Sequence, residues 1–180
     1  MILDALPEAR RCTWALALYA SLRSGEIQGL RWADVDLTGA RRGPAWDPKH
    51  HLYVAPKSKA GRRTVPVASV LRRQLEQHQQ ATGRDGDDLV VGRTAEAPMT
   101  NATALIRGRR ACESAGVKRL GLHEARHTAV SLWIAAGMNL RAVSTYAGHA
   151  SVAFTLDRYG HLLPDDQERA VELLDAFLGD

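Results

Sequence analysis

The chain has 180 residues, 45% hydrophobic and 24% charged, with a formal net charge of +4 at pH 7. That length and balance suit one globular domain with a sizeable core, and no run approaches the roughly eighteen apolar residues a membrane span requires. The two cysteines, Cys12 and Cys112, lack metal-ligand spacing and read as free thiols of a reducing cytoplasm.

In chain order, EARRCTWALALYASL (8–22) puts Cys12, Ala15, Leu16, Leu18 and Tyr19 at helical spacing, which predicts a core helix to about Arg23. SGEIQGLRWADVDL follows as a short helix closed by a turn near Gly39. From 43 to 56 prolines and glycines punctuate the text, and HLYVA alternates as a strand does. RRTVPV (62–67) is the expected partner strand, which makes KSKAG the tip of a β-hairpin. VASVLRRQLEQHQQA then carries Val67, Val70, Leu71 and Leu75 on one helical face. A loop over 82–100 holds the apolar piece LVV, and Thr100 is placed to cap a helix that ends at Gly116. Further helices are expected over HEARHTAVSLWIAA, ending at Gly137, and over LRAVSTYAG, ending near Gly148. A segment with Tyr159 and an acidic amphipathic helix over 165–180 complete the chain. These elements predict a mostly helical α+β domain with a small antiparallel hairpin or three-stranded sheet.

Charge is unevenly spread. Residues 41–73 hold nine basic side chains against Asp47, a local balance of +8, whereas 165–180 holds six acids against Arg169. A polyanion-binding face and a tail that docks elsewhere account for that asymmetry. HEARH sets His123 and Arg126 three residues apart, so both can point at one phosphate. The same string fits HExxH, in which His123 and His127 would ligate zinc with Glu124 as base. Tyr159, in TLDRYGH, needs neighbours that stabilise charge before its phenol can act as a nucleophile, since it titrates near ~10.

Taken together, these strings resemble the catalytic domain of the tyrosine recombinases, the phage-integrase family. SLRSGEIQGLRWADVDL is similar to the family's first arginine box and gives Arg23 and Glu26. PKSKAGRRTVP places the hairpin lysine on Lys57, with Lys59 two residues along as the alternative. HEARH gives His123 and Arg126, AGH gives His149, and TLDRYGH gives Thr155, Tyr159 and His161. Ala20–Ser21, Ala125 and Ala147 depart from the usual residues, and none is a catalytic side chain.

The resemblance implies a tyrosine-recombinase fold and a metal- and ATP-independent enzyme that cuts and rejoins DNA through a 3′-phosphotyrosyl intermediate. Arg23 and Arg126 would grip the phosphate oxygens, His149 would donate a hydrogen bond, His123 would relay the Tyr159 proton, and Lys57 would protonate the leaving oxygen. Glu26 and His127 are expected behind these groups, and Lys59, Arg62, Arg63, Arg107, Arg109 and Arg110 along the DNA backbone. No cofactor or metal is expected. The expected partners are double-stranded DNA and three further copies of the chain on it, with a free monomer and no membrane, in the cytoplasm or on the nucleoid. Residues 1–180 read as one catalytic domain, without the DNA-clamping domain that usually precedes it, and so as a fragment of a longer protein. A helix-turn-helix-like binding module over SLWIAAGMNLRAVSTYAGH, or an inactive prophage remnant, is the competing expectation.

Overall fold

The computed structural model describes residues 3–37, 39–41, 45–47, 52–54, 63–116, 120–163 and 167–179. Helix α1 (Glu8–Ala20) is apolar over most of its circumference, so it can only be satisfied at the centre of the domain. It lies there, with Cys12, Trp14, Ala15, Leu16 and Ala17 buried against α3 (Ser69–Thr82) and α5 (Leu122–Ala135). The helix stops before Arg23 because Ser21 turns left-handed, at φ 52°, and the Leu22 N–H closes onto the Leu16 carbonyl at 3.3 Å. Helix α2 (Ser24–Gly29) follows, then a 3-10 turn over Trp32–Asp34.

The strands are short: β1 (Val35–Asp36), β2 (Gly39–Arg41), β3 (Ala45–Asp47), β4 (Leu52–Val54) and β5 (Thr64–Pro66). They form an antiparallel β1-β2-β5 sheet and a separate β3-β4 pair. The expected pairing of HLYVA with RRTVPV is therefore corrected. Leu52–Val54 pairs with Ala45–Asp47, whereas Ala40 opposes Val65 in the three-stranded sheet. Closing the stretch 48–51 costs less chain entropy than closing 55–63, and Val65, fully buried, is drawn to the core beside β2. Gly39, expected in a turn, lies in β2. The tip KSKAG lies outside the described residues.

In the loop after α3, Leu89, Val90 and Val91 are buried, and the Val90 N–H donates to the Leu30 carbonyl at 2.9 Å. Helix α4 (Asn101–Ser114) meets α1 at Gly108, where a β-carbon would fall 2.0 Å from Trp14 Cζ2. Helices α6 (Leu140–Ala147) and α7 (Val152–Tyr159), a 3-10 turn over Gly160–Leu162 and α8 (Gln167–Leu178) complete the α+β domain. Helix α8 leaves Val171, Leu174, Leu178 and Phe177 exposed, the last by 87%.

Candidate active site

The last carbonyls of a helix have no partner within it and carry the negative end of its dipole. At the end of α6 three consecutive carbonyls each accept from a different arginine. Tyr146 O accepts from Arg63 Nε, Ala147 O from Arg126 Nη2 at 2.5 Å, and Gly148 O from Arg23 Nη2 at 2.9 Å. Gly148, at φ 65°, supplies the left-handed cap that turns the chain and leaves these oxygens facing the arginines.

Arg23 reaches this point from the break between α1 and α2. Glu26 Oε2 accepts the Arg23 N–H at 2.6 Å, capping α2, and Oε1 accepts from Arg23 Nη1 at 3.0 Å. The Arg23 side chain stays 47% exposed. Arg126, from the first turns of α5, is only 6% exposed and also donates to the Ser21 carbonyl. Burial, then the neighbouring Arg23, lowers its pKa to about 10, so it remains cationic at neutral pH.

The histidines form a second group. His127 Nδ1 is hydrogen-bonded to the Tyr159 hydroxyl, and His127 Nε2 lies 3.0 Å from His123 Nε2. His127, expected behind the site, is thus the group in contact with the phenol, and His123, expected as the relay, stands one turn away. The two share one face of α5, and the position of α7 selects between them. His149 Nδ1 lies 2.8 Å from the buried Thr155 hydroxyl, and its ring stacks on Tyr159 with centroids 6.2 Å apart. Burial, then Arg126, Arg23 and His127, lowers the pKa of His149 to about 4. Burial raises that of Tyr159, which is 5% exposed, against the opposing Arg126 and Arg158. The phenol is therefore protonated at neutral pH.

Arg23, His123, Arg126, His127, His149 and Phe154 line an open cleft of about 390 Å³. It offers fixed cations and imidazoles to an anion, and two of its lining histidines, His127 and His149, contact Tyr159. For the HExxH alternative, Glu124 is used otherwise: its carboxylate accepts the Gly121 N–H at 3.0 Å and caps α5. Among the described residues no group of three or more His, Cys, Asp or Glu could hold a metal.

The side chain of Arg63, expected along the DNA backbone, is 3% exposed, with its guanidinium between the end of α6 and Glu26. Arg109 and Arg110 are exposed on α4, and Arg109 pairs with Glu113 at 2.8 Å. Lys57, Lys59 and Arg62, and the side chain of Arg107, lie outside the described residues. Sequence reasoning gave no role to the Ser21 and Ala147 carbonyls, since an acceptor on the main chain leaves no trace in residue type, and it placed Thr155 in a motif without a partner for its hydroxyl.

A profile described as "Phage integrase family" matches residues 2–165. The "ICEBs1 integrase" of Bacillus subtilis is 26% identical over 92% of this chain and 48% of its own length. A "Tyrosine recombinase XerC-like" protein of Caldanaerobacter subterraneus is 26% identical over 91% of this chain and 48% of its own. The chain spans about half the length of these curated relatives. Among solved structures, the Tn1549 transposon integrase in complex with circular intermediate DNA superposes with a TM-score of 0.71 at 18% identity, over 93% of this chain and 59% of that one. XerA recombinase gives 0.69 at 19% identity, over 97% and 59%. At that identity the likeness is one of fold.

Proposed function

The chain belongs to the phage integrase family, and we propose that it is a site-specific DNA recombinase that cuts and rejoins strands through Tyr159. The observation that carries this reading is the convergence of Arg23, Arg126, His149 and His127 on one cleft, with the Tyr159 hydroxyl hydrogen-bonded to His127. The Tyr159 oxygen attacks phosphorus as its proton passes to His127. The bond to the 5′ oxygen breaks and a 3′-phosphotyrosyl link remains. Negative charge gathers on the non-bridging oxygens in the transition state, where the guanidinium forks of Arg23 and Arg126 and a hydrogen bond from His149 stabilise it. The departing 5′ oxygen takes its proton from Lys57, or from Lys59 if the register differs. Attack by a 5′ hydroxyl of another strand reverses these steps and frees the phenol. The phosphodiester energy stays in the tyrosyl link, so the reaction needs neither metal nor nucleotide.

The basic residues of segment 41–73 other than Arg63, with the exposed Arg109 and Arg110, contact the phosphate backbone of double-stranded DNA. The apolar face of α8 packs on a neighbouring copy, linking a DNA-bound tetramer of a chain that is monomeric when free. Its setting in this reading is the cytoplasm, on the nucleoid. The Tyr159 hydroxyl held by His127, in the wall of a cleft that also carries Arg23 and Arg126, favours catalysis over a binding-only helix-turn-helix, which has no use for that arrangement.

The test is covalent capture from a pool of nicked duplexes, which trap the intermediate because the cleaved fragment diffuses away. The wild-type chain should form an adduct that maps to Tyr159 and persists in EDTA. Tyr159→Phe should form none while binding DNA within a few fold. His127→Ala should slow adduct formation roughly 10²-fold or more, the scale of a lost proton acceptor, and His123→Ala less. An adduct at Tyr19, Tyr53 or Tyr146, or activity lost to EDTA and restored by zinc, would overturn the reading.

A further inference from the structure

We propose that Arg63 is a positioning residue for Arg23, fixing from the foot of strand β5 both acceptors that hold the Arg23 guanidinium. It rests on the reading of Arg23 as a phosphate ligand. Arg63 immediately precedes β5, and its side chain is too deeply buried to meet a polyanion. Its Nε holds the Tyr146 carbonyl, two residues before the Gly148 carbonyl that takes Arg23 Nη2. Its Nη1 lies 3.9 Å from Glu26 Oε1, the same oxygen that takes Arg23 Nη1 at 3.0 Å. One carboxylate oxygen thus stands between two guanidiniums.

Among the described residues neither Nη1 nor Nη2 of Arg63 has a hydrogen-bond partner, and buried donors left unpaired are costly. A group kept at that cost where a leucine would fill the space needs a reason, and its neighbours supply one. Glu26 takes the Arg23 N–H on Oε2 and Nη1 on Oε1, and without the charge of Arg63 beside Oε1 it would pull the Arg23 guanidinium harder, away from Gly148. With Arg63 sharing the charge, Glu26 engages Arg23 through Nη1 and leaves its Nε and the second hydrogens of its Nη groups for a phosphate. A lysine cannot span both the carbonyl and the carboxylate, since it offers one point charge rather than a fork.

Arg63→Met, Arg63→Lys, Glu26→Gln and the double variant Arg63→Met with Glu26→Gln are compared with the wild-type chain. The readouts are single-turnover adduct formation on captured duplexes, the salt dependence of DNA binding, and the Nε–H resonance of Arg23, assigned by its loss in Arg23→Lys. Arg63→Met should slow adduct formation by on the order of 10²-fold, the effect of misplacing a reacting group by an ångström or so. It should shift the Arg23 resonance and leave the salt slope of binding unchanged. In the Glu26→Gln background its effect should fall below about tenfold, because coupled residues are not additive. A salt slope reduced by about one would make Arg63 a phosphate contact and overturn the proposal. So would an unmoved Arg23 resonance, or rate losses that simply multiply. If Arg63→Met does not fold, Arg63→Lys is read against the same three criteria. A wild-type chain that forms no adduct removes the recombinase reading, and the resonance of Arg23 still decides whether Arg63 positions it.

Discussion

A histidine that is partly buried and then set beside two arginines holds a proton poorly, and His149 is the clearest instance in the cleft. Its pKa of about 4 leaves the ring neutral at pH 7. The neutral tautomer that accepts the Thr155 hydroxyl hydrogen on Nδ1 carries its own proton on Nε2, and in this reading donates it towards an anion in the cleft. The unfolded chain has the ordinary value of 6.5. Below that pH the unfolded state takes up a proton that the folded state refuses, so folding stability is lost as the pH falls from about 6.5 towards about 4. His127 and His78, both lowered first by burial, pull the same way. The urea midpoint should therefore drop between pH 7 and pH 5, and less so in His149→Asn. By NMR the His149 ring should titrate well below its ordinary value, and a midpoint at or above 6.5 would contradict the assignment.

Between elements, α4 and α1 come close at Gly108 and Trp14, where no β-carbon fits. Gly108→Ala must displace the indole and should destabilise the fold by about 1–3 kcal/mol, the usual cost of overpacking, measured by urea unfolding. Helix ends at Gly116, Gly137 and Gly148 were legible in the sequence, because each glycine adopts the left-handed cap it suggests. The end of α1 was not, because Ser21 takes the conformation that ordinarily belongs to glycine. Strand partners were not legible either: alternation says that Leu52–Val54 is a strand, and its pairing with Ala45–Asp47 depends on loop length and on the burial of Val65. In the cleft, the residue types stood in their motifs. Which of two histidines one turn apart meets Tyr159 is set by α7, however, and Arg63 looks like any basic residue of 41–73 until the end of α6 is placed over it.

Across the whole molecule, α8 presents Val171, Leu174, Phe177 and Leu178 to solvent. Deleting 167–180 removes exposed apolar surface, so the thermal midpoint of the remainder should stay within a few degrees while DNA-dependent assembly, followed by light scattering, is lost. Unfolding of the truncated chain would instead mean that the helix docks on its own domain. The end of α6 gathers segments that begin far apart in the chain: the α1–α2 break, the foot of β5 and the start of α5. All three arginines there are held by main-chain oxygens. Replacing the side chain of Tyr146 or Ala147 leaves every acceptor in place, whereas inserting or deleting one residue within α6 rotates the whole row by about 100° and breaks the three contacts at once. Natural variation along this helix should therefore be rich in substitutions and poor in changes of length.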